Sequence, residues 1–193
     1  MSRKSLTVAG ITVLVLAVAA VAMAAALPSV PAPGTICVKL ATMGHTFIPI
    51  GLPNGPFAPT NGSITAQVGQ PIKTTDGRNG FNFNVIGFTS NGEVSGLGNV
   101  KISLDSTRRS PNSTFIENNN GKDATQTINF NATFEVNGKS YRNAETITLI
   151  GTSVEAFPPP SGTAYALASK VTLVDAQGRA AYTLPVGQAA KIQ

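Results

Sequence analysis

A chain of 193 residues with one cysteine and one histidine cannot build an internal disulfide framework, and it lacks the ligands for a His/Cys zinc site. Charged residues make up only 12% of it, about half the share usual in a soluble domain. Its net charge of +5 comes from basic residues that are scattered except at Arg3-Lys4 and Arg108-Arg109, so composition gives no basic stripe for nucleic acid, and none is expected as a partner.

Residues 6–27 hold no charged residue, no Asn or Gln and no Pro, and they follow Arg3 and Lys4. A basic tip, an apolar stretch and small residues such as Ala22, Ala24 and Ala26 before a Pro-containing segment make the pattern of a secretory signal peptide. The run is also long enough to cross a bilayer, so residues 1–27 are a signal peptide or a membrane anchor, with cleavage ranked ahead of retention. Either way the expected location is extracellular or in the cell envelope, with membrane contact only through residues 6–27 if they are retained. The layout resembles a prepilin leader in outline only, since Ala9 stands where bacterial pilins carry Glu. Ile36 before Cys37 argues against lipidation, because a small residue is needed there.

Residues 28–34 include Pro28, Pro31 and Pro33 and read as an extended linker. The rest, 35–193, is read as a single domain. Residues 35–41 alternate as a first strand, with Ile36, Val38 and Leu40 on one face and Cys37 and Lys39 on the other; the lone thiol of Cys37 is expected to be buried in an interior or interface. Four prolines and four glycines between 42 and 62 predict a long loop, with at most a short edge strand at 46–50. Period-two patterns then mark strands at 63–68, 81–88 and 100–104, with turns at Asp76-Gly77, Asn79-Gly80 and Asn91-Gly92. Residues 105–126 read as a long polar surface loop.

Residues 127–136 are the clearest strand, with Ile128, Phe130, Ala132, Phe134 and Val136 on one face. Asn137-Gly138 follows as a hairpin turn, because both central positions of a type I′ turn require positive φ. Pro158-Pro159-Pro160 predicts a stiff connector, and 171–184 a last hairpin around Asp175–Gly178. Residues 187–193 are expected to be an unstructured end or a brief edge strand. Short strands, frequent turns and no helix after Leu27 predict an all-β fold. The expected form is a two-sheet antiparallel β-sandwich, immunoglobulin-like or jelly-roll-like, behind an N-terminal apolar helix.

No catalytic constellation emerges. His45 has no acid near it in sequence, and a Cys37–His45 dyad would need the intervening chain to fold back on itself. The nine acids are well separated; a carboxylate pair across a cleft is the weakest surviving enzymatic reading. Asp123 with Asn118, Asn119 and Asn120 offers oxygens but lacks the alternating carboxylates of a calcium loop. Asn61, Asn112 and Asn131 head glycosylation tripeptides. Phe81, Phe83, Phe130 and Phe134 fall at core spacing; Phe47, Phe57, Phe115 and Phe157 are expected to pack beneath loops. Tyr165 and Tyr182 are candidates for sugar or partner contact. No catalytic, cofactor-binding or metal residue and no cofactor is assigned.

These observations lead to an expected non-catalytic structural or interaction protein of the cell surface, one that self-assembles into an envelope layer or filament. Its homo-oligomer or polymer contacts would run through edge strands and Pro-rich loops, with 35–41 as the segment to be exchanged. The alternative is a secreted domain that binds carbohydrate or a small apolar molecule.

Overall fold

The computed structural model describes residues 31–193. These form fourteen strands: β1 Ile36–Thr46, β2 Ile48–Pro49, β3 Phe57–Lys73, β4 Asn79–Val94, β5 Gly98–Leu104, β6 Ser113–Glu117 and β7 Ala124–Phe130. β8 Ala132–Val136, β9 Lys139–Asn143, β10 Ile147–Val154, β11 Ala164–Leu167, β12 Val171–Val174, β13 Ala180–Leu184 and β14 Gly187–Ile192 complete them. No helix occurs among the described residues.

Every pairing is antiparallel, and the pairings close. From β1 the ladder passes through β3, β4, β6, β7, β10, β11 and β14, and β14 pairs with β1 again at Ala41–Ile192 and Met43–Ala190. This is an eight-stranded barrel. Its inward positions can be read across the registers: Cys37 opposite Ala66, Val68 opposite Phe83, Phe81 opposite Phe115, Phe115 opposite Gln126 and Tyr165 opposite Ala190. Long β1, β3 and β4 run on past this barrel. Their far halves continue the sheet through β5, β8, β9, β12 and β13, and β13 pairs with β2, which is β1 resumed after Phe47. A second ring thus stands beside the first on the same three strands.

The two-sheet sandwich is therefore not the fold. Alternating burial belongs to any antiparallel sheet with one dry face, and it does not tell two facing sheets from one sheet curled shut. What closes the sheet is strand length and register: seventeen residues of β3 and sixteen of β4 are enough to serve both rings. The apolar helix expected before the domain falls on residues 6–27, outside the described residues.

Opposite the shared strands the chain crosses from ring to ring five times, and around the β5–β6, β7–β8 and β9–β10 crossings backbone groups leave the ladder. Side chains take their place, as buried polar backbone requires. Asn143 Oδ1 accepts from Ala132 N at 2.7 Å and from Arg108 Nη2 at 2.8 Å, while its Nδ2 donates to Asn131 Oδ1 and Glu145 O. Ser110 and Ser113 hydroxyls accept from Asn131 N and Asn129 N. Asp105 is clamped by Thr107 and by Arg108 Nε at 2.7 Å. Burial pushes its carboxyl up, but these bonds outweigh that and hold it at about 2.

Several expected loops are strands. β1 runs to Thr46 and β3 begins at Phe57, so only 47–56 interrupts them, with the short β2 inside it. Asn91-Gly92 lies within β4, and the turn falls instead at Gly96. About a third of 105–126 becomes β6 and the start of β7, and the tail becomes β14 in the wall of the first ring. The turn at Asn137-Gly138 is as expected, both with positive φ.

Candidate functional site

The first ring encloses an apolar cavity. Ile64, Phe83, Ile128, Phe157 and Pro158-Pro159 wall it, and Cys37, Lys39, Gln126 and Tyr165 bring the heteroatoms. Its free interior of about 20 Å³ holds roughly one water molecule. Most of the space is taken by Phe157, which comes from the 155–163 connector rather than from a strand. That ring meets Phe81 edge-on at 4.9 Å, Phe83 at 5.2 Å and Phe115 at 5.9 Å. In the wall, Tyr165 donates its hydroxyl to Gln126 Oε1 at 2.7 Å; both residues are 2% exposed. Burial raises the Tyr165 phenol, so it stays a neutral donor, and the Gln126 amide carries two further N–H donors.

Cys37 and Lys39 enter this cavity because β1 turns their face, and not the more apolar one, inward. Ile36, Val38 and Leu40 are outward, each about 60% exposed. The face is decided further along the strand, where Ala41, Met43 and His45 continue the odd series into the core and Thr42, Gly44 and Thr46 do not. Burial pushes the Cys37 thiol up and the Lys39 ammonium only partly offsets it, so the group is a thiol rather than a thiolate nucleophile.

The other expected residues are placed apart. His45 sits eight residues from Cys37 on the same extended strand, which puts the two about 26 Å apart along it and rules out a dyad. It is buried among Phe88, Phe130 and Phe134 at the junction of the rings, and burial lowers it to about 4. Asp123 Oδ1 accepts from Asn118 and Asn120, and no group of three His, Cys, Asp or Glu suited to a metal ion exists among the described residues.

Asp105 and Asp175 face one polar surface depression, but each is held by an arginine, Arg108 and Arg179. Hydrogen bonds from the Arg179 backbone and side chain keep Asp175 below the usual range, so neither is the raised acid that glycoside hydrolysis needs. Asn131 is buried and closed to a glycan; Asn61 lies in β3 and Asn112 is exposed. Phe47, Phe115 and Phe157 belong to the core, and of the aromatics assigned to loops only Phe57 is exposed. Tyr182 packs edge-on against Phe47 and Tyr141 in the second ring.

Gln126 and the central place of Phe157 went unnoticed in the sequence. A glutamine at an inward position of a strand, opposite a phenylalanine, is a signal for Gln126; nothing local marks Phe157 as a plug, since the connector around it has no period.

A closed antiparallel β-barrel with an apolar interior and a few buried hydrogen-bonding groups is the class that this fold and cavity define. The chain is similar to the solved structure of DynF from the dynemicin biosynthesis pathway of Micromonospora chersina, with a TM-score of 0.72 at 17% identity over 84% of this chain and 82% of that one. No protein-family model matches the chain, and no curated protein does.

The expectation of a structural, self-assembling filament or layer subunit is corrected by these findings. It needed open strand edges, and barrel closure consumes all but a short stretch of them; the segment marked for exchange, 35–41, is already paired with β3 on one side and is open on the other only at 36–39. The likeness is to a protein of a biosynthetic pathway. Nothing in the barrel lends support to an extracellular filament, and the features that suggested secretion lie outside the described residues.

Proposed function

We propose that this protein is a non-catalytic binder of a small apolar molecule, which it takes up inside the first ring. The observation that carries this is the plug. A barrel interior is ordinarily filled by strand residues, which cannot leave without breaking ladders. Here the central ring, Phe157, belongs to a connector, and its withdrawal would empty a space lined by Phe81, Phe83 and Phe115 without disturbing a single strand pair. An apolar ligand entering that space finds aromatic walls and the Gln126–Tyr165 pair to orient a polar atom, the usual make-up of a small-molecule pocket. The likeness to DynF, a protein of a biosynthesis pathway, is in keeping with a role in small-molecule chemistry.

Catalysis is left out because the cavity offers a protonated thiol, a neutral phenol, an amide and the Lys39 ammonium, with no base beside a nucleophile. The test is Phe157→Ala. With the plug removed, a fluorescent apolar probe such as N-phenylnaphthylamine should bind at least about tenfold more tightly than to the parent chain, by about the 1.4 kcal/mol of a modest cavity-filling contact. Gln126→Leu should alter which probes bind while keeping their apolar preference. A Phe157→Ala protein that stays folded and binds no apolar probe would remove this reading.

A further inference from the structure

We infer that the apolar ligand carries an anionic head, a carboxylate or its like, held by Lys39 at a slot in the wall of the first ring; this rests on the reading of the cavity given above. The slot follows from topology. β14 pairs with β1 only at Ala41, Thr42 and Met43, and Gln193 N adds a bond to Leu40 O. Beyond that point no strand of the described residues pairs with 36–39 on the side away from β3. The space across from this stretch is taken by Pro158-Pro159, which have no N–H with which to extend a sheet. Cys37, Lys39, Ile192 and the two prolines therefore frame a break in an otherwise hydrogen-bonded wall, and all five border the cavity.

Lys39 is the one charged residue among those that line it. It is half-buried, it takes part in none of the ion pairs of the described residues, and its charge reaches the Cys37 thiol next to it on the same face. A lysine lays its methylene stem along apolar wall and keeps its ammonium at the wet end. A molecule with a tail in place of Phe157 and a negative head at the slot matches both halves of this arrangement. A neutral molecule leaves the ammonium unanswered, and a cationic one is repelled.

Octanoate and octanol share a tail and differ in the charge of the head, so calorimetric titration of the full chain with each isolates the claim. Octanoate should bind about tenfold more tightly than octanol, the scale of one charge-assisted hydrogen bond in a partly wet site. Lys39→Met, which keeps the stem and deletes the charge, should abolish the preference, and Lys39→Arg should keep it. Equal binding of the two to the parent chain overturns the head-group assignment and leaves the apolar pocket standing. A preference for octanoate that persists in Lys39→Met overturns it too, by placing the charge elsewhere. Binding of neither overturns both readings.

Discussion

His45 shows how a single side chain reports on the packing around it. Its neighbours at the junction of the rings are Met43, Phe88, Ile102, Phe130, Phe134, Ile147 and Leu184, none of them charged. Burial alone therefore lowers its pKa to about 4. Between about 4 and the ordinary 6.5 the unfolded chain holds a proton that the folded chain refuses. The stability is thus complete above 6.5 and is lost as pH falls through that window, by on the order of 3 kcal/mol. Asp105 acts the same way lower down, from 3.8 to about 2, so pH 5 to 7 isolates the histidine, the only one in the chain. Urea unfolding at pH 7 and pH 5 should show a marked loss in the parent and little in His45→Leu; equal losses in both would refute it. The sequence made His45 a structural or idle loop residue, because Gly44 and the nearby prolines hid a strand. It could not disclose that the loop was core.

At the scale of the strand, the glycines and prolines between 42 and 62 carried two meanings, and only contact between strands tells them apart. Gly51 has positive φ and does mark a turn. Gly62 has no such conformation and lies mid-strand, where an added Cβ would stand 1.8 Å from Thr89 O and 2.6 Å from Ser90 Cα. It is there because β3 and β4 cross closely as they pass from one ring to the next, a demand made by a strand nearly thirty residues away. Gly62→Ala should therefore cost at least about 3 kcal/mol or prevent folding. Ser63→Ala, one position on, should stay within about 0.5 kcal/mol of the parent. Denaturant midpoints for the pair check this, and a Gly62→Ala protein as stable as the parent would contradict the close crossing. The apolar face of 127–136 was legible, since Ile128, Phe130, Ala132, Phe134 and Val136 are all buried, but the single strand expected there is two, β7 and β8, parted at Asn131, which is buried too. The same regularity left the inward face of 35–41 undecided, since a short window held two alternating series, and the more apolar one faces solvent.

For the whole molecule, sandwich and barrel share their local signals, so the difference lay in pairings that no window of sequence contains. β14 joining β1, with 149 residues or so between the partners, is the least local of them and the one that closes the first ring. That closure has an energetic consequence. The rings share β1, β3 and β4, and β7 of the first passes to β8 of the second through Asn131, whose side chain and backbone are tied to Asn143, Arg109 and Asp105. Neither ring keeps its wall if the other opens, so the two should unfold together rather than as independent domains. Leu173 is fully buried in the second ring, far from the cavity of the first, and Leu173→Ala should destabilise by about 2–5 kcal/mol. Protection against amide hydrogen exchange should then fall by the same free energy at Ile102 in the second ring and at Ile128 in the first. If exchange quickens at Ile102 while Ile128 keeps its protection, the rings are separate cooperative units. The shared strands would then join two small barrels that stand alone, and the first would be free to open its plug without cost to the second.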